Sequence, residues 1–225
     1  MVILYPKPNI LIISNSETST TFYGHFYLSR FADYARNKGF GVVHLENAIL
    51  ADLQTALIET NPRLVILNGH GGEYGVLGQD RHVIAGVECA FDEELGLTIY
   101  RSNVNWFRDR IVFLLCCYSG EVLGKKLVEE GGAEAVVGWT KPFFFIGESI
   151  LSPPEDSKAR PFFKPPIHFL KLLLDGFTVK ESFNAMIKQF HTEATKWRSR
   201  DIDVYKFLLY DAKHAVLHGY ADATL

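Results

Sequence analysis

Leu64-Val65-Ile66-Leu67-Asn68-Gly69-His70-Gly71-Gly72 is the stretch on which the fold reading turns. Its apolar half is short and unbroken, then stops at a polar, glycine-rich tip. A run of that length reads as a strand buried on both faces, which is the habit of parallel sheets. The pattern recurs in Ile111-Val112-Phe113-Leu114-Leu115-Cys116, which ends at Cys117-Tyr118-Ser119-Gly120. Ile10 to Ile13, Phe40 to Leu45 and Ala135 to Val137 are further strands of the same type. Helical spacing separates them. Tyr27, Leu28, Phe31, Tyr34 and Ala35 share one helix face, which Gly39 stops, and Ile49 to Leu57 forms a second helix that ends before Asn61-Pro62. Strand and helix alternate, so the expected architecture is α/β, a mostly parallel sheet with helices on both faces.

The regions between and beyond are read more coarsely. Val83 to Val87 suits a hairpin strand, and Asn103 to Arg110 an amphipathic lead-in. Ser119-Gly120-Glu121 is expected to open a helix that Gly131-Gly132 closes. Six of the 9 prolines fall between Trp139 and Ile167, so residues 141–166 are expected to form a long irregular loop. Helices over 167–219 follow, one begun by the capping box Thr178-Val179-Lys180-Glu181 and a last one running from Val204 to His218. Residues 1–225 are read as a single domain.

Composition narrows the functional classes. The chain has 225 residues, 48% hydrophobic and 22% charged, the proportions of a globular protein. With 23 Lys+Arg against 26 Asp+Glu, the net charge of −3 gives no broad positive field for nucleic acid. No apolar run reaches the roughly 20 residues of a membrane span, and the first residues lack a signal-peptide layout. Three cysteines, two of them adjacent, do not make a disulfide framework. The expectation is a cytoplasmic protein that uses no cofactor.

Ligands of open parallel sheets bind at the carboxyl ends of the strands. His70 and Cys117 both stand there. If their strands are neighbours, the tips lie about 5 Å apart, one strand spacing. An imidazole beside a thiol can take its proton or stabilise the thiolate. Cys117 is also expected just before a helix N-terminus, whose dipole favours a thiolate. Backbone N–H groups of Gly71 and Cys117 are expected to form an oxyanion hole. Adjacent strand residues point to opposite faces, which assigns Cys116 a structural role beside a reactive Cys117. Cys89 is read as structural too.

These motifs resemble those of clan CD cysteine peptidases, a group that includes caspases, gingipains, clostripain, separase and bacterial CHAT proteases. Asn68-Gly69-His70-Gly71-Gly72 is similar to their His-Gly motif. Leu114 to Gly120 is similar to the CHAT and gingipain nucleophile strand: an apolar run, a small residue, Cys, any residue, Ser or Thr, then Gly. Val128 to Gly138 resembles the stretch that follows it. The separation of His70 from Cys117 is close to the roughly 50 residues of caspase-like enzymes. The likeness covers about residues 9 to 140 and thins over Phe162 to Ala185. It implies a three-layer caspase-like (caspase-hemoglobinase) fold and a Cys-His endopeptidase acting on peptide or protein substrates. A regulatory protein partner, or self-cleavage, would control it.

Two departures limit what carries over. Leu115 stands where clostripain-like enzymes place Asp two residues before the nucleophile, and the caspase Gln-Ala-Cys-Arg-Gly pentapeptide is absent, so neither Arg nor Asp specificity transfers. Glu73, Trp139, Thr140 and Lys141, with the proline-rich loop, are the expected substrate walls. Other chemistries fit less well. Adjacent cysteines are poor tetrahedral metal ligands. His214 and His218, four apart on an expected helix, lack the intervening Glu of a zinc-protease motif, so no metal is expected. The glycines after His70 fail the dinucleotide fingerprint at Tyr74. Amidotransferase-like hydrolases place the nucleophile before the histidine, the reverse of the order here. The non-enzymatic alternative is a caspase-like domain serving as a binding or scaffold module.

Overall fold

A computed structural model describes residues 7–88, 93–96, 102–148 and 153–225. Cys89 and part of the proline-rich stretch lie outside the described residues. In chain order the elements are β1 (Asn9–Ser14), α1 (Ser19–Asn37), β2 (Gly41–Glu46), α2 (Leu50–Thr60), β3 (Leu64–Asn68), β4 (Gly75–Leu77) and β5 (Val83–Gly86). There follow β6 (Ile111–Leu115), α3 (Leu123–Glu129), β7 (Ala135–Trp139), α4 (Arg160–Leu174), α5 (Val179–Trp197), α6 (Ile202–His214) and β8 (Ala215–Gly219).

Six strands form one sheet in the order β2-β1-β3-β6-β7-β8, while β4 and β5 make a separate antiparallel hairpin. Every pairing in the large sheet is parallel except the last, β7 with β8. The chain thus matches the expected α/β class, with one antiparallel edge added.

Strand alternation sorts the apolar residues into two cores. Ile10, Ile12, Leu64, Ile66, Ile111, Phe113 and Leu115 face the core built with α1, α4, α5 and α6. Leu11, Ile13, Val65, Leu67, Val112, Leu114 and Cys116 face the other, closed by α2, α3 and the hairpin. Because both faces are covered, the strands carry unbroken apolar runs rather than an alternating pattern. Phe113 stacks on Phe169 at 5.1 Å between ring centres and meets the edge of Trp139 at 5.9 Å. Burying each such ring contributes about 1.5–3 kcal/mol.

Three expectations are corrected. The proline-rich segment does not stay irregular to 166, because α4 begins at Arg160. Pro161 stands in its first turn, where a missing N–H costs nothing. Pro165 and Pro166 lie inside the helix and are buried with Phe162, Phe163 and Phe169; their packing offsets the two lost backbone bonds. The last helix stops at His214, and Ala215–Gly219 leaves it to become the edge strand on β7. His214 and His218 therefore do not share a helix face; His218 Nε2 instead bonds the Gly120 carbonyl at 2.8 Å. Finally, Ser119 to Val122 form a turn, and α3 begins only at Leu123.

The smaller expectations hold. Asn61 caps α2 in a left-handed conformation, and β5 pairs in a hairpin. Thr178 and Glu181 form a reciprocal capping box at the start of α5.

Candidate functional site

β3 and β6 are direct neighbours, with Asn68 opposite Leu115. Both residues point to the α1/α4 side of the sheet. Two residues further along each chain stand His70 and Cys117, so parity places both side chains on that same side. They border one cavity of about 290 Å³. The adjacency of the two strands expected from the sequence is observed, and both residues border the cavity.

The loop geometry explains the residue types. A Cβ on Gly71 would lie 2.4 Å from the Cys117 carbonyl oxygen and 3.2 Å from the Cys117 nitrogen. Only a residue without a side chain lets these two backbones meet. Cys117 is followed by Tyr118 in a left-handed conformation, φ +57°, which turns the chain sharply off the strand. Three bonds hold this turn. Ser119 Oγ donates to the Cys116 carbonyl at 2.9 Å. Tyr118 N–H donates to Lys141 at 3.3 Å, and Gly120 N–H to Trp139 at 2.9 Å. Gly120 is needed because a Cβ there would meet Val216 Cγ2 at 2.5 Å. The Cys-x-Ser-Gly pattern is thus a hydroxyl-closed turn pressed against β7 and β8.

The two sulfurs separate as expected. Cys116 is buried in the opposite core, its Sγ donating to the Leu67 carbonyl at 3.4 Å. Burial pushes its thiol pKa far up. Cys117 is partly exposed. Burial also raises its thiol pKa and nearby Asp211 adds to this, while the Phe143 N–H opposes it. The expected helix N-terminus does not stand at Cys117, since α3 starts six residues later, beyond an intervening turn, and is only about two turns long.

His70 sits at the solvent-facing rim. Its Nε2 pairs with Thr18 Oγ1 at 3.1 Å. Desolvation lowers its pKa, helped by Arg81 and opposed by Glu17. For both groups burial is the largest cause of the shift, and it disfavours the charged form.

Of the expected walls, the proline-rich stretch borders the cavity, through Pro142, Phe143, Phe144, Phe145 and Phe163. None of Glu73, Trp139, Thr140 or Lys141 borders the cavity. Trp139 is fully buried, its Nε1 donating to the Asp211 carbonyl at 3.1 Å, so it supports the site from beneath and meets no substrate. Thr140 Oγ1 bonds the His214 carbonyl at 3.3 Å, and the Lys141 ammonium lies over the Tyr118 ring at 5.7 Å. The apolar walls are Leu115, Pro142, Phe143, Phe144, Phe145 and Phe163, with Thr20, Thr21 and Asn68 along one side.

Two residues were missed from sequence. Thr18 caps α1 reciprocally with Thr21 and so points its hydroxyl at the strand tips, within hydrogen-bond distance of His70 Nε2. Its only sequence signal is the polar stretch between β1 and α1. Asp211, on α6, is fully buried. One carboxyl oxygen accepts the Phe144 N–H at 3.0 Å and the other has no partner among the described residues. Burial holds its pKa well above the ordinary carboxylate range. A lone Asp on a helix carries no sequence signal of this kind.

No protein-family model and no curated protein matches the chain. Among the described residues, no three His, Cys, Asp or Glu side chains gather as metal ligands, and no helix is long and apolar enough to cross a membrane.

Proposed function

We propose that the chain is a cysteine endopeptidase of caspase-like fold, with Cys117 as nucleophile and His70 as its acid-base partner. One observation carries this reading: β3 and β6 are paired with Asn68 opposite Leu115, which sets the imidazole and the thiol on one side of the sheet at one cavity.

In the proposed reaction His70 takes the thiol proton as sulfur attacks the scissile carbonyl. With the Nε2–H donated to the Thr18 hydroxyl, Nδ1 is the unprotonated nitrogen that takes that proton. The resulting oxyanion is stabilised by the backbone N–H groups of Gly71 and Cys117, whose loops meet at the same point. The protonated ring then donates to the departing amine, and water, deprotonated by the same ring, releases the acyl group. A neutral resting pair suits this sequence, because the imidazole is free to accept the proton when substrate arrives.

The raised Cys117 thiol favours the second reading, a non-catalytic binding module. Digestion of a peptide library with the full chain separates the two. Cleavage that Cys117→Ala abolishes and Cys116→Ala leaves in place is the expected result. No cleavage by the unaltered protein, or equal loss in both variants, refutes the peptidase assignment.

A further inference from the structure

The walls of the cavity, rather than its two reactive groups, point to a substrate class. We propose that the site takes a large, uncharged apolar side chain, aromatic or leucine-like, on the residue that supplies the scissile carbonyl; this rests on the peptidase reading above.

Four phenylalanines, 143, 144, 145 and 163, surround the volume beside Cys117. Among the described residues, no Asp, Glu, Lys or Arg borders it. Asn68, Thr20 and Thr21 along its polar side already have protein hydrogen-bond partners. Asn68 Nδ2 donates to the carbonyls of Asn15 and Thr21, both at 3.1 Å. Thr21 Oγ1 donates to Asn15 Oδ1 at 3.2 Å, and Thr20 Oγ1 pairs with Thr18 Oγ1 at 3.0 Å. An apolar side chain entering here displaces water from aromatic surface and leaves no protein group unpaired. A guanidinium or carboxylate would arrive without a counter-charge, and a desolvated charge is costly unless paired.

Asp211 is the one acid that could contest this for a basic substrate. It lies behind the wall, not on it. One oxygen is bonded to the Phe144 backbone and the side chain has no exposed surface. A substrate cation would reach it only by displacing Phe144. At about 290 Å³ the volume is near the lower end of the roughly 300–1,000 Å³ of small-ligand sites. That suits one side chain rather than a long peptide segment.

The test uses four peptidyl acyloxymethyl ketones, identical except for Phe, Leu, Arg or Asp beside the ketone, on the full chain. Sulfur of Cys117 forms a C–S bond to the ketone methylene. The C–O bond to the carboxylate breaks with its electron pair, and the thiol proton leaves with the carboxylate. Intact mass with peptide mapping reads the rate at Cys117. The Phe and Leu probes are expected to label on the order of 100-fold faster than Arg or Asp, the scale of apolar-pocket discrimination. Thr20→Phe, an exposed wall position, should narrow the cavity and shift preference from Phe to Leu. Faster labelling by Arg or Asp overturns the apolar assignment while leaving the peptidase reading intact. Failure of every probe to label Cys117 overturns both.

Discussion

Replacing Gly71 by alanine inserts one methyl group between the two loops that carry the proposed dyad. The added carbon would stand 2.4 Å from the Cys117 carbonyl oxygen and 2.8 Å from Cys116 Cβ, against the 3.4 Å at which ordinary contact begins. Both neighbours are held, the first by the Ser119-closed turn and the second by the core, so neither yields as a flexible side chain would. The loops must part by about 1 Å, an overpacking that costs about 1–3 kcal/mol. A displacement of about 1 Å between reacting groups lowers a rate on the order of 100-fold. Gly131→Ala separates the two effects. It meets the Val104 carbonyl oxygen at 2.3 Å, in the connection before β7 and away from the site. Urea unfolding should show similar stability losses for both variants. Peptide cleavage per folded molecule should fall only for Gly71→Ala. Equal cleavage by Gly71→Ala and Gly131→Ala at equal stability would show that the close approach of the two loops has no part in the chemistry.

Three further outcomes are expected. The folded-state pKa of Asp211 is raised, so its contribution to stability is fully present below the unfolded value near 3.8 and is lost as pH rises through the folded value. Over that window the slope is at most about 1.4 kcal/mol per pH unit. Asp211→Asn should therefore gain on the unaltered protein as pH rises, by denaturation at pH 4 and pH 8, and a gap that does not widen would refute the buried, proton-retaining carboxyl. Alkylation of Cys117 by iodoacetamide should rise with pH about a midpoint above the ordinary 9.0, because only the thiolate reacts; a midpoint below 8 would show an ion pair instead of a neutral one. Thr178→Ala should cost about 1 kcal/mol through loss of the α5 cap, read as a lower urea midpoint, with no change in Cys117 labelling.

Much of the strand set could be read locally. The apolar runs at Ile10, Leu64, Ile111 and Ala135 are buried on both faces, and that condition writes itself into consecutive residues. The same holds for the separation of Cys116 from Cys117, which follows from strand alternation alone. Where the reading failed, the deciding partner was distant in sequence. Ala215 to His218 continues a helical pattern, and it becomes a strand because β7 offers an open edge that pairs from Ala135↔Gly219 to Trp139↔Ala215. Prolines argued for a loop over 161–166, yet burial against Phe162 and Phe169 keeps that segment helical. Of the walls expected at Trp139 to Lys141 and in the proline-rich stretch, only the latter reaches the cavity, from Pro142 onward, because Trp139 points into the core.

What the sequence determined by itself was which residues end their strands at the sheet's carboxyl edge, and that His70 and Cys117 are among them, because burial and alternation are properties of neighbouring residues. What only the tertiary structure decided was that β3 pairs with β6, and in the register that sets Asn68 against Leu115. Strand order and register are fixed by hydrogen bonds and packing between segments far apart in the chain. The same long-range packing brought Thr18 to the imidazole and buried Asp211 behind Phe144, contacts that no local pattern of residues encodes.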